Sequence, residues 1–489
     1  MRTPAERSAI ARRGWLLLAA VVLSRLPTMA ALPLTDTTEA RYGAIARLMA
    51  VTGDWVTPWF APGVPFWGKP PLAFWAQALS FQWLGGNELA LRLPSWLACL
   101  AMVALVARYG RSLIGDHGGW VAALIAASSG LLFVCAGAVL TDSFLALGTT
   151  AALVGAGLAL RGEGRSWGAL FFAGLVVGLL AKGPLALVLV GAPLFLWALW
   201  SGRWADLWRR LPWWRGGAVT LLLAVPWYLL AEHKTPGFLR YFIVGEHFQR
   251  FLDPGWGGDR YGSAHDRARG TIWLLTVYAA FPWSLWALAL LAARLRDADG
   301  RRRLRRALKD DDNRLLIAAA FVPGLFFTFS GNILATYVLP GLPFMALLLA
   351  RALGPRGRAW RRIVGPAMLV PVLSLIAGAY VLIHPDTLRT EKALVACYQR
   401  QPEVDRAPLI YLDEVPFSAR YYGREMPRAR SLAQAREALT GSPRRPLYLA
   451  VRPRELDALE RPPAPPLVEL ARNRRYRLMT TARDIAACP

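Results

Sequence analysis

Apolar windows of about 18 to 20 residues recur along the chain, and they limit its fold more than any other feature. A helix of about 20 apolar residues crosses the hydrocarbon core of a bilayer, so each window predicts a transmembrane helix. The chain is 55% hydrophobic, and its mean hydropathy is +0.33. We expect an all-α polytopic membrane domain whose eleven spans lie near 14–33, 89–107, 119–139, 144–160, 167–181, 184–200, 216–232, 271–293, 315–330, 335–350 and 363–383.

The first apolar window could also be a secretory signal peptide, because Arg12 and Arg13 precede it. No clear small-residue cleavage site follows, and Arg25 interrupts the window. We therefore interpret this segment as an uncleaved transmembrane helix.

The net charge of +25 comes from 57 basic and 32 acidic residues. In a soluble chain this excess would indicate nucleic-acid binding. Here the basic residues fall in alternate loops between apolar windows, which is typical of cytoplasmic loops in membrane proteins. We predict that the cytoplasmic segments are the N-terminus and the loops with Arg108 and Arg111, Arg161 and Arg165, 203–215, 294–314 and 351–362.

The opposite side of the membrane then receives two long loops and the tail. The first loop, 34–88, contains two stretches with helical spacing of apolar residues, so we expect short interfacial helices there. The second loop is 233–270, and short turns near Asp142, Lys182 and Asn332 lie on the same side. We expect the protein to lie in a bacterial inner membrane with a periplasmic site and tail.

The tail changes character after the last span. "APLIYLDEVPF" and "RRPLYLAVRP" predict short buried strands, while "SLAQAREALTG" and "RPRELDALE" predict amphipathic helices. We predict a transmembrane domain at 1–384 and a small α/β domain at 385–489.

Four cysteines divide into two pairs by position. Cys99 and Cys135 lie within spans, where they are expected to pack as small hydrophobes. Cys397 and Cys488 bracket the tail domain, and in an oxidising compartment they would form a disulfide; the alternative is two free thiols.

The first loop contains the stretch that most resembles a chemical site. "DTTE" at 36–39 fits a capping box, with Asp36 as the N-cap and Glu39 at the third helical position. Arg41 follows closely, and Lys69 precedes two prolines that fix the local chain. A carboxylate beside Arg and Lys at a bilayer surface suits a lipid substrate that carries phosphate.

Six stretches together resemble a known family. The first-loop stretches are "DTTEARYGAIARLMAVTGDWVTP" and "PFWGKPPLAFWAQALSFQWLGGNELALRLPS", followed in order by "LTDSFLALGTT", "LLAKGPLALVL", "GEHFQRFLDPGW" and "YVLPGLPFMALL". They resemble bacterial polyprenyl-phosphate-sugar glycosyltransferases of the GT-C fold, families 39 and 83. These include the lipid A aminoarabinose transferase and relatives of the protein O-mannosyltransferases.

The resemblance implies inverting transfer of a hexose or pentose from an undecaprenyl-phosphate or other polyprenyl-phosphate donor. A first-loop carboxylate, Asp36 or Glu39, would be the general base for a hydroxyl acceptor. Arg41 and Lys69 match the family's basic residues and would bind the donor phosphate. The acceptor would be lipid A or lipopolysaccharide, another envelope glycan or a protein; no cofactor is implied, and the metal requirement is left open.

The chain departs from the family pattern at three points. Thr38 occupies the usual aspartate position, which favours Asp36 over Glu39 as the acting carboxylate. Gly68 replaces the glutamate that precedes the lysine in aminoarabinose transferases, which weakens assignment of a metal or of the same substrate. "SGNILA" replaces a motif with a further lysine, so one basic contact to phosphate is missing.

Further candidates lie in the later stretches. Asp142 has either a site role or a helix-capping role, and Lys182 either binds phosphate or extends its ammonium to the membrane surface. The second loop contributes His247, Arg250 and His265, which belong either to a loop that orders over substrate or to a solvated loop. Tyr337 is the last substrate-site candidate. The histidine and aspartate spacing matches no standard metal pattern, so we predict no metal site.

Two other functions compete with the glycosyltransferase. A transporter or flippase of lipid-linked sugars would share the basic contacts and the many spans, but it should show internal repeats, broken helices in matched positions and charges near the midplane. A non-catalytic assembly protein would use the tail as its binding surface. The sequence shows no clear repeat and its charges lie on one side, which favours the enzyme.

Overall fold

The computed structural model describes residues 4–253, 255–262, 265–354, 359–402, 407–423, 427–441, 445–461, 464–482 and 488. The chain packs into two compact units. The helical unit comprises Met1–Ala30 and Met49–Ile376, and the α/β unit comprises Ala31–Leu48 and Ala377–Pro489. The predicted boundary at 384/385 would leave the first loop entirely in the membrane domain, whereas Ala31–Leu48 packs with the tail.

The helical unit is built of helices and one short hairpin. Its helices, with α3 continuing from the α/β unit, are α1 Pro4–Leu23, α2 Leu26–Ala31, α3 Thr38–Thr52, α4 Leu72–Leu84, α5 Glu88–Ile114, α6 Asp116–Ala127, α7 Gly130–Ala136, α8 Asp142–Leu160, α9 Arg165–Lys182, α10 Leu185–Ser201, α11 Trp204–Arg210, α12 Trp213–Lys234, a π-helix Arg240–Gln249, α13 Arg250–Leu252, α14 Thr271–Ala279, α15 Trp283–Arg296, α16 Ala298–Lys309, α17 Asp311–Thr328, a 3-10 helix Ala335–Gly341, α18 Leu342–Leu353 and α19 Ala359–Ile383. The hairpin pairs β1 Trp59–Ala61 with β2 Val64–Pro65.

Among the described residues, seven helices are long and apolar enough to cross a membrane, or nine if each of two bent pairs counts as one span. The bent pairs are α6 with α7, at 71°, and α14 with α15, at 104°. The predicted span 184–200 corresponds to α10, which has 17 residues, and 315–330 lies largely within α17. Each predicted window contains helix, but among the described residues at most nine spans have the required length and composition, against eleven predicted; the chain is a multi-span membrane protein.

Helices α8 and α9 pack through glycines, which lets their backbones approach closely. A Cβ added at Gly148 of α8 would lie 2.5 Å from the Gly178 nitrogen of α9. A Cβ added at Gly174 of α9 would lie 2.4 Å from the Ala152 nitrogen of α8. The two helices are joined by a short turn, so the start of α8 lies beside the end of α9.

The α/β unit contains a five-stranded mixed sheet with strand order β4-β3-β5-β7-β6. Its elements are a 3-10 helix Pro385–Thr387, α20 Lys392–Gln399, β3 Leu409–Leu412, α21 Phe417–Tyr422, β4 Arg428–Arg430, α22 Leu432–Thr440, β5 Tyr448–Val451, α23 Pro453–Glu460, β6 Val468–Arg472 and β7 Arg477–Thr480. Strand β3 pairs in parallel with β4 and β5, while β7 pairs antiparallel with β5 and β6.

Both faces of this sheet are buried, because successive side chains of a strand point to opposite faces. Leu409 and Tyr411 join a core with α20, while Ile410 and Leu412 join a second core with α22. Cys397 of α20 forms a disulfide with Cys488, with a Cα–Cα distance of 5.9 Å. Cys99 and Cys135 are free and buried in the helical unit.

Candidate active site

Lys69 of the helical unit lies where the first loop enters α4. Pro70 and Pro71 follow it, and Pro71 is the N-cap residue of α4, so the lysine backbone has little freedom. A Cβ at Gly68 would lie 2.9 Å from Phe66 Cζ, and the Phe66 ring is packed 4.7 Å from the Tyr261 ring. A glutamate at position 68 would therefore clash unless the Phe66 ring moved.

The carboxylate beside Lys69 comes instead from the π-helix of the second loop. Lys69 Nζ donates to Glu246 Oε2 at 2.9 Å and to the Gly68 carbonyl at 2.5 Å. The Glu246 side chain is 5% exposed and the Lys69 side chain 20% exposed, so the ammonium is the accessible partner. π-Helices occur often at functional sites.

Arg250 is the second cation of this cluster. Its Nη1 donates to both Glu246 oxygens, at 3.0 and 3.2 Å, and its Nη2 lies 3.2 Å from Asp259 Oδ2. Tyr241 donates to Glu246 Oε1 at 3.5 Å. We call Lys69, Glu246, Arg250 and Asp259 the Lys69 cluster; its two cations and two carboxylates balance.

The second loop places ionisable groups in an unusual environment. Burial by itself raises the pKa of the Glu246 carboxyl, but Lys69 and Arg250 outweigh burial and hold that pKa below its ordinary value. Burial lowers the pKa of His247, although its ring nitrogens lie 2.7 Å from the Phe242 carbonyl and 3.1 Å from the Lys182 carbonyl. The site therefore holds a charged glutamate and a histidine biased toward its neutral form.

Asp142 and Lys182 form a buried ion pair at the start of α8 and the end of α9. Lys182 Nζ lies 2.7 Å from Asp142 Oδ1 and 5.4 Å from the centroid of the Tyr337 ring. The Tyr337 hydroxyl accepts a hydrogen bond from Asn332 Nδ2 at 3.1 Å. His247, through its contact with the Lys182 carbonyl, joins this pair to the π-helix.

His265 contacts the "SGNILA" turn through its backbone. Its backbone nitrogen donates to Asn332 Oδ1 at 2.9 Å, and its carbonyl accepts from the Ile333 nitrogen at 3.1 Å. The turn thus pairs with the second loop and holds Tyr337 through Asn332.

Asp36 is in the α/β unit, where its carboxylate has three donors. Its Oδ1 accepts from the Ser418 nitrogen at 2.8 Å, and its Oδ2 accepts from Ser418 Oγ at 2.8 Å and from Arg475 Nη2 at 2.5 Å. The side chain is 3% exposed. Within the described chain, Asp36 does not cap α3 as the capping box predicts; it binds the first turn of α21 instead.

Arg475 is shared between Asp36 and a second carboxylate, Glu391. Arg475 Nη2 lies 2.6 Å from Glu391 Oε1. Burial raises the pKa of Glu391, and the attraction of Arg475 offsets this only in part. Asp36, Arg475 and Glu391, which we call the Arg475 cluster, join residues far apart in sequence.

Glu39 and Arg41 lie on the first turns of α3 in the same unit. Glu39 Oε2 accepts from the Thr35 nitrogen at 3.4 Å. The Arg41 guanidinium lies 5.3 Å from the Tyr42 ring centroid and 5.8 Å from the Phe417 ring centroid.

Sequence reasoning missed Glu246 and Arg475, and it considered the second-loop aspartates, which include Asp259, only as parts of a metal pattern. Glu246 lies within the quoted "GEHFQRF" stretch, next to the selected His247, so its signal was adjacency to a candidate. Asp259 and Arg475 lie in charged segments whose local sequence does not indicate a site. In the described chain, no group of three or more His, Cys, Asp or Glu side chains is arranged to hold a metal ion.

The fold is the GT-C fold found in membrane glycosyltransferases. The fold matches the crystal structure of ArnT from Cupriavidus metallidurans bound to undecaprenyl phosphate, with a TM-score of 0.79 at 18% identity over 97% of this chain and 99% of that chain. It also matches the archaeal oligosaccharyltransferase AglB from Archaeoglobus fulgidus, with a TM-score of 0.51 at 12% identity over 85% and 64% of the two chains.

Sequence comparisons agree with the fold. The family of dolichyl-phosphate-mannose-protein mannosyltransferases matches residues 32–242. The undecaprenyl phosphate-alpha-4-amino-4-deoxy-L-arabinose arabinosyl transferase of Edwardsiella ictaluri is 29% identical over 76% of this chain and 67% of its own length. The transferase of the same name from Pseudomonas aeruginosa UCBPP-PA14 is 31% identical, over 72% of this chain and 62% of its own length. The chain therefore has the GT-C fold, and its sequence is similar to undecaprenyl-phosphate sugar transferases of the aminoarabinose type.

Proposed function

We propose that the protein transfers a sugar from a polyprenyl-phosphate donor to an envelope acceptor such as lipid A, another glycan or a protein, and that Lys69 and Arg250 bind the donor phosphate. The observation that carries this is the pair of cations around one buried carboxylate. A phosphate that enters would bind the accessible side of these cations, opposite the buried Glu246. The relatives from Edwardsiella ictaluri and Pseudomonas aeruginosa are named for a donor of this kind, undecaprenyl phosphate-linked 4-amino-4-deoxy-L-arabinose.

The proposed reaction inverts the configuration of the transferred sugar carbon. The acceptor hydroxyl oxygen forms a bond to that carbon, the carbon–oxygen bond to the lipid phosphate breaks, and the hydroxyl proton passes to a first-loop carboxylate. Polyprenyl phosphate leaves with an additional negative charge, which Lys69 and Arg250 would stabilise. Arg41 is proposed as a phosphate ligand from the family resemblance alone. Tyr337, Lys182 and Asp142 are proposed to line the same substrate site, and His247 to support it.

A transfer assay with undecaprenyl-phosphate-linked sugar tests the phosphate assignment. Lys69→Ala and Arg250→Ala should each lower kcat/KM by about a hundredfold, since a donor to a developing charge contributes roughly 3 kcal/mol. Lys234→Ala is the control, because Lys234 pairs with Asp54 instead. Unchanged transfer in both site variants would contradict the assignment.

The general base is proposed to be Asp36 or Glu39, and the contacts of Asp36 favour Glu39. A base must release its hydrogen-bond donors to take a proton, and Asp36 already accepts three hydrogen bonds. Glu39→Gln should therefore lower kcat by roughly 100-fold. Asp36→Asn should lower kcat by less. If Asp36→Asn abolishes transfer while Glu39→Gln retains it, Asp36 is the base.

Transport of lipid-linked sugars is the competing function, and the two bent helix pairs are the feature that favours it. A transporter would move the lipid-linked sugar across reconstituted vesicles without an acceptor. Translocation that persists in Lys69→Ala while transfer is absent from the wild type would support the transporter.

We also infer that the N-terminus is cytoplasmic and that the first loop and the α/β unit are periplasmic in a bacterial inner membrane. The alternation of basic loops supports this orientation. A membrane-impermeant maleimide should label Val64→Cys in cells with a permeable outer membrane and label Arg301→Cys only after lysis. The reverse pattern would invert the topology.

A further inference from the structure

A cavity of about 600 Å³ lies in the helical unit, and no residue of the Lys69 cluster lines it. It runs along α15, α17 and α18, with α6 on one side and α16 at one end. Its volume lies in the range of ordinary ligand sites, about 300–1,000 Å³. Most of its lining is apolar, as in Leu288, Ile317 and Leu349.

The two ends of this cavity differ in charge. One end is lined by Thr276, Phe321 and Leu342. The other end is lined by three arginines, which are Arg294, Arg303 and Arg351. An occupant with an apolar body and an anionic end would match this arrangement.

The arginine end is bounded by a helix suited to a membrane surface. Helix α16 carries basic residues at Arg301, Arg302, Arg303, Arg305, Arg306 and Lys309. Its Leu304 and Leu308 face the cavity, so the helix is amphipathic and follows the membrane-embedded α15. The arginine end of the cavity therefore lies at the level of lipid head groups.

The three arginines differ in their hydrogen-bond and ion-pair partners. Arg294 Nη2 donates to the Ala352 carbonyl at 2.6 Å, and Arg351 Nη1 lies 3.2 Å from Asp310 Oδ1. Arg303 is exposed, and no carboxylate in the described ranges pairs with it. Further inside, the Ser284 hydroxyl is buried and has no hydrogen-bond partner among the described residues. The phosphate of a bound lipid would supply an acceptor to Arg303, whereas Ser284 lies along the hydrocarbon part of the cavity.

The proposed sugar donor does not fit this polarity. Its phosphate would bind near Tyr337, which precedes Leu342 at the apolar end of the cavity. About 14 Å of α18 separates Leu342 from Arg351. A donor lipid entering from the Tyr337 end would bring only hydrocarbon to the arginines.

We propose that this cavity binds an anionic phospholipid, with one acyl chain among α15, α17 and α18 and the phosphate at Arg303 and Arg294. The site is distinct from the donor site and faces the opposite membrane surface. The lipid would fix α16 against the bent α14–α15 pair.

Native mass spectrometry of the full-length protein with phosphatidylglycerol or phosphatidylcholine tests this site. The wild type should retain phosphatidylglycerol preferentially, and Arg303→Ala should reduce its retention about fivefold. Arg302→Ala is the matched control, because Arg302 is on the same helix but does not line the cavity. Ala287→Trp, which fills the lining from α15, should remove both lipids.

Three results would overturn the proposal. Equal retention of the two lipids would show that the site does not distinguish an anionic lipid from a zwitterionic one. If Arg302→Ala lost as much phosphatidylglycerol as Arg303→Ala, the effect would come from the general surface charge of α16. Displacement of phosphatidylglycerol by undecaprenyl phosphate would assign the cavity to the sugar donor. Loss of donor binding in Lys69→Ala with unchanged phosphatidylglycerol retention would separate this site from the proposed function.

Discussion

At the residue scale, the charged candidate residues of the helical unit that lie at the Lys69 cluster and at the α8–α9 ends are paired with one another. Lys69 and Arg250 share Glu246, and Lys182 pairs with Asp142. A buried ion pair adds little net stability, because desolvation offsets most of the attraction. Such pairs in a site instead keep cations charged and positioned until an anion arrives.

The lowered pKa of Glu246 predicts a pH-dependent stability. Because the folded pKa lies below the ordinary value of 4.5, the pair stabilises the fold above that pH and loses this contribution as the pH falls through the folded pKa. Glu246→Gln should destabilise the protein by roughly 2 kcal/mol at neutral pH, with the difference shrinking in acid.

Thermal unfolding of the detergent-solubilised chain between about pH 3 and pH 7 measures this difference. Glu469→Gln is the control, because its partner Arg477 is partly exposed at 38%. If the wild type and Glu246→Gln differed by a constant amount across the acid range, the expected sign of the pH dependence would be wrong.

At the element scale, helices α8 and α9 meet through Gly148, Gly174 and Gly178, a contact that we call the α8–α9 seam. This seam sets the geometry of the Asp142–Lys182 pair. The glycines of the seam bring the two backbones together. The Asp142–Lys182 ion pair then joins the start of α8 to the end of α9. A side chain in the seam would force the helices apart. The ion pair would then lengthen although neither of its residues had changed.

Gly174→Val should therefore impair transfer and lower stability by about 1–3 kcal/mol through overpacking. Gly191→Val in α10 is the matched control, because nothing lies within 4 Å of a Cβ built there. Transfer rates and unfolding temperatures of both variants measure the effect. Equal behaviour of the two variants would show that the seam does not position the pair.

At the scale of the whole molecule, the segment Ala31–Leu48 and the end of the chain form one unit. Hydrogen bonds join the two segments. They include Arg475 to Asp36, the Leu34 nitrogen to the Tyr422 hydroxyl, and Arg47 to the Arg420 carbonyl. Residues Ala31–Leu48 are therefore a structural part of the α/β unit. The tail is not an appendage that could be removed without effect on the first loop.

Arg475→Met should speed amide exchange of residues 34–42 by roughly tenfold or more, because it leaves two buried carboxylates without their cation. Hydrogen-exchange mass spectrometry of the full chain measures this. Arg477→Met is the control from the neighbouring strand, where the Glu469 partner is more exposed. Unchanged exchange at 34–42 would mean that the Arg475 cluster does not hold the segment.

The helices could be predicted from sequence because apolar length is a local property. The strands β3 and β5 and the helices α22 and α23 also have local patterns, and all are present. The partners of the candidate residues could not be predicted: 177 residues separate Lys69 from Glu246, and 439 separate Asp36 from Arg475. Local pattern contains no information on such pairings, so the sequence indicated candidate residues but not their partners.

The joining of Asp36 to Arg475 has a consequence for biogenesis. Residues 31–48 leave the ribosome long before strands β6 and β7 exist, so the first loop must remain without its final partners during nearly all of synthesis. Folding of the α/β unit is then the last step, after the spans have inserted. A chain that ends before Arg475 would consequently lack the partner that holds residues 31–48, even with every transmembrane helix in place.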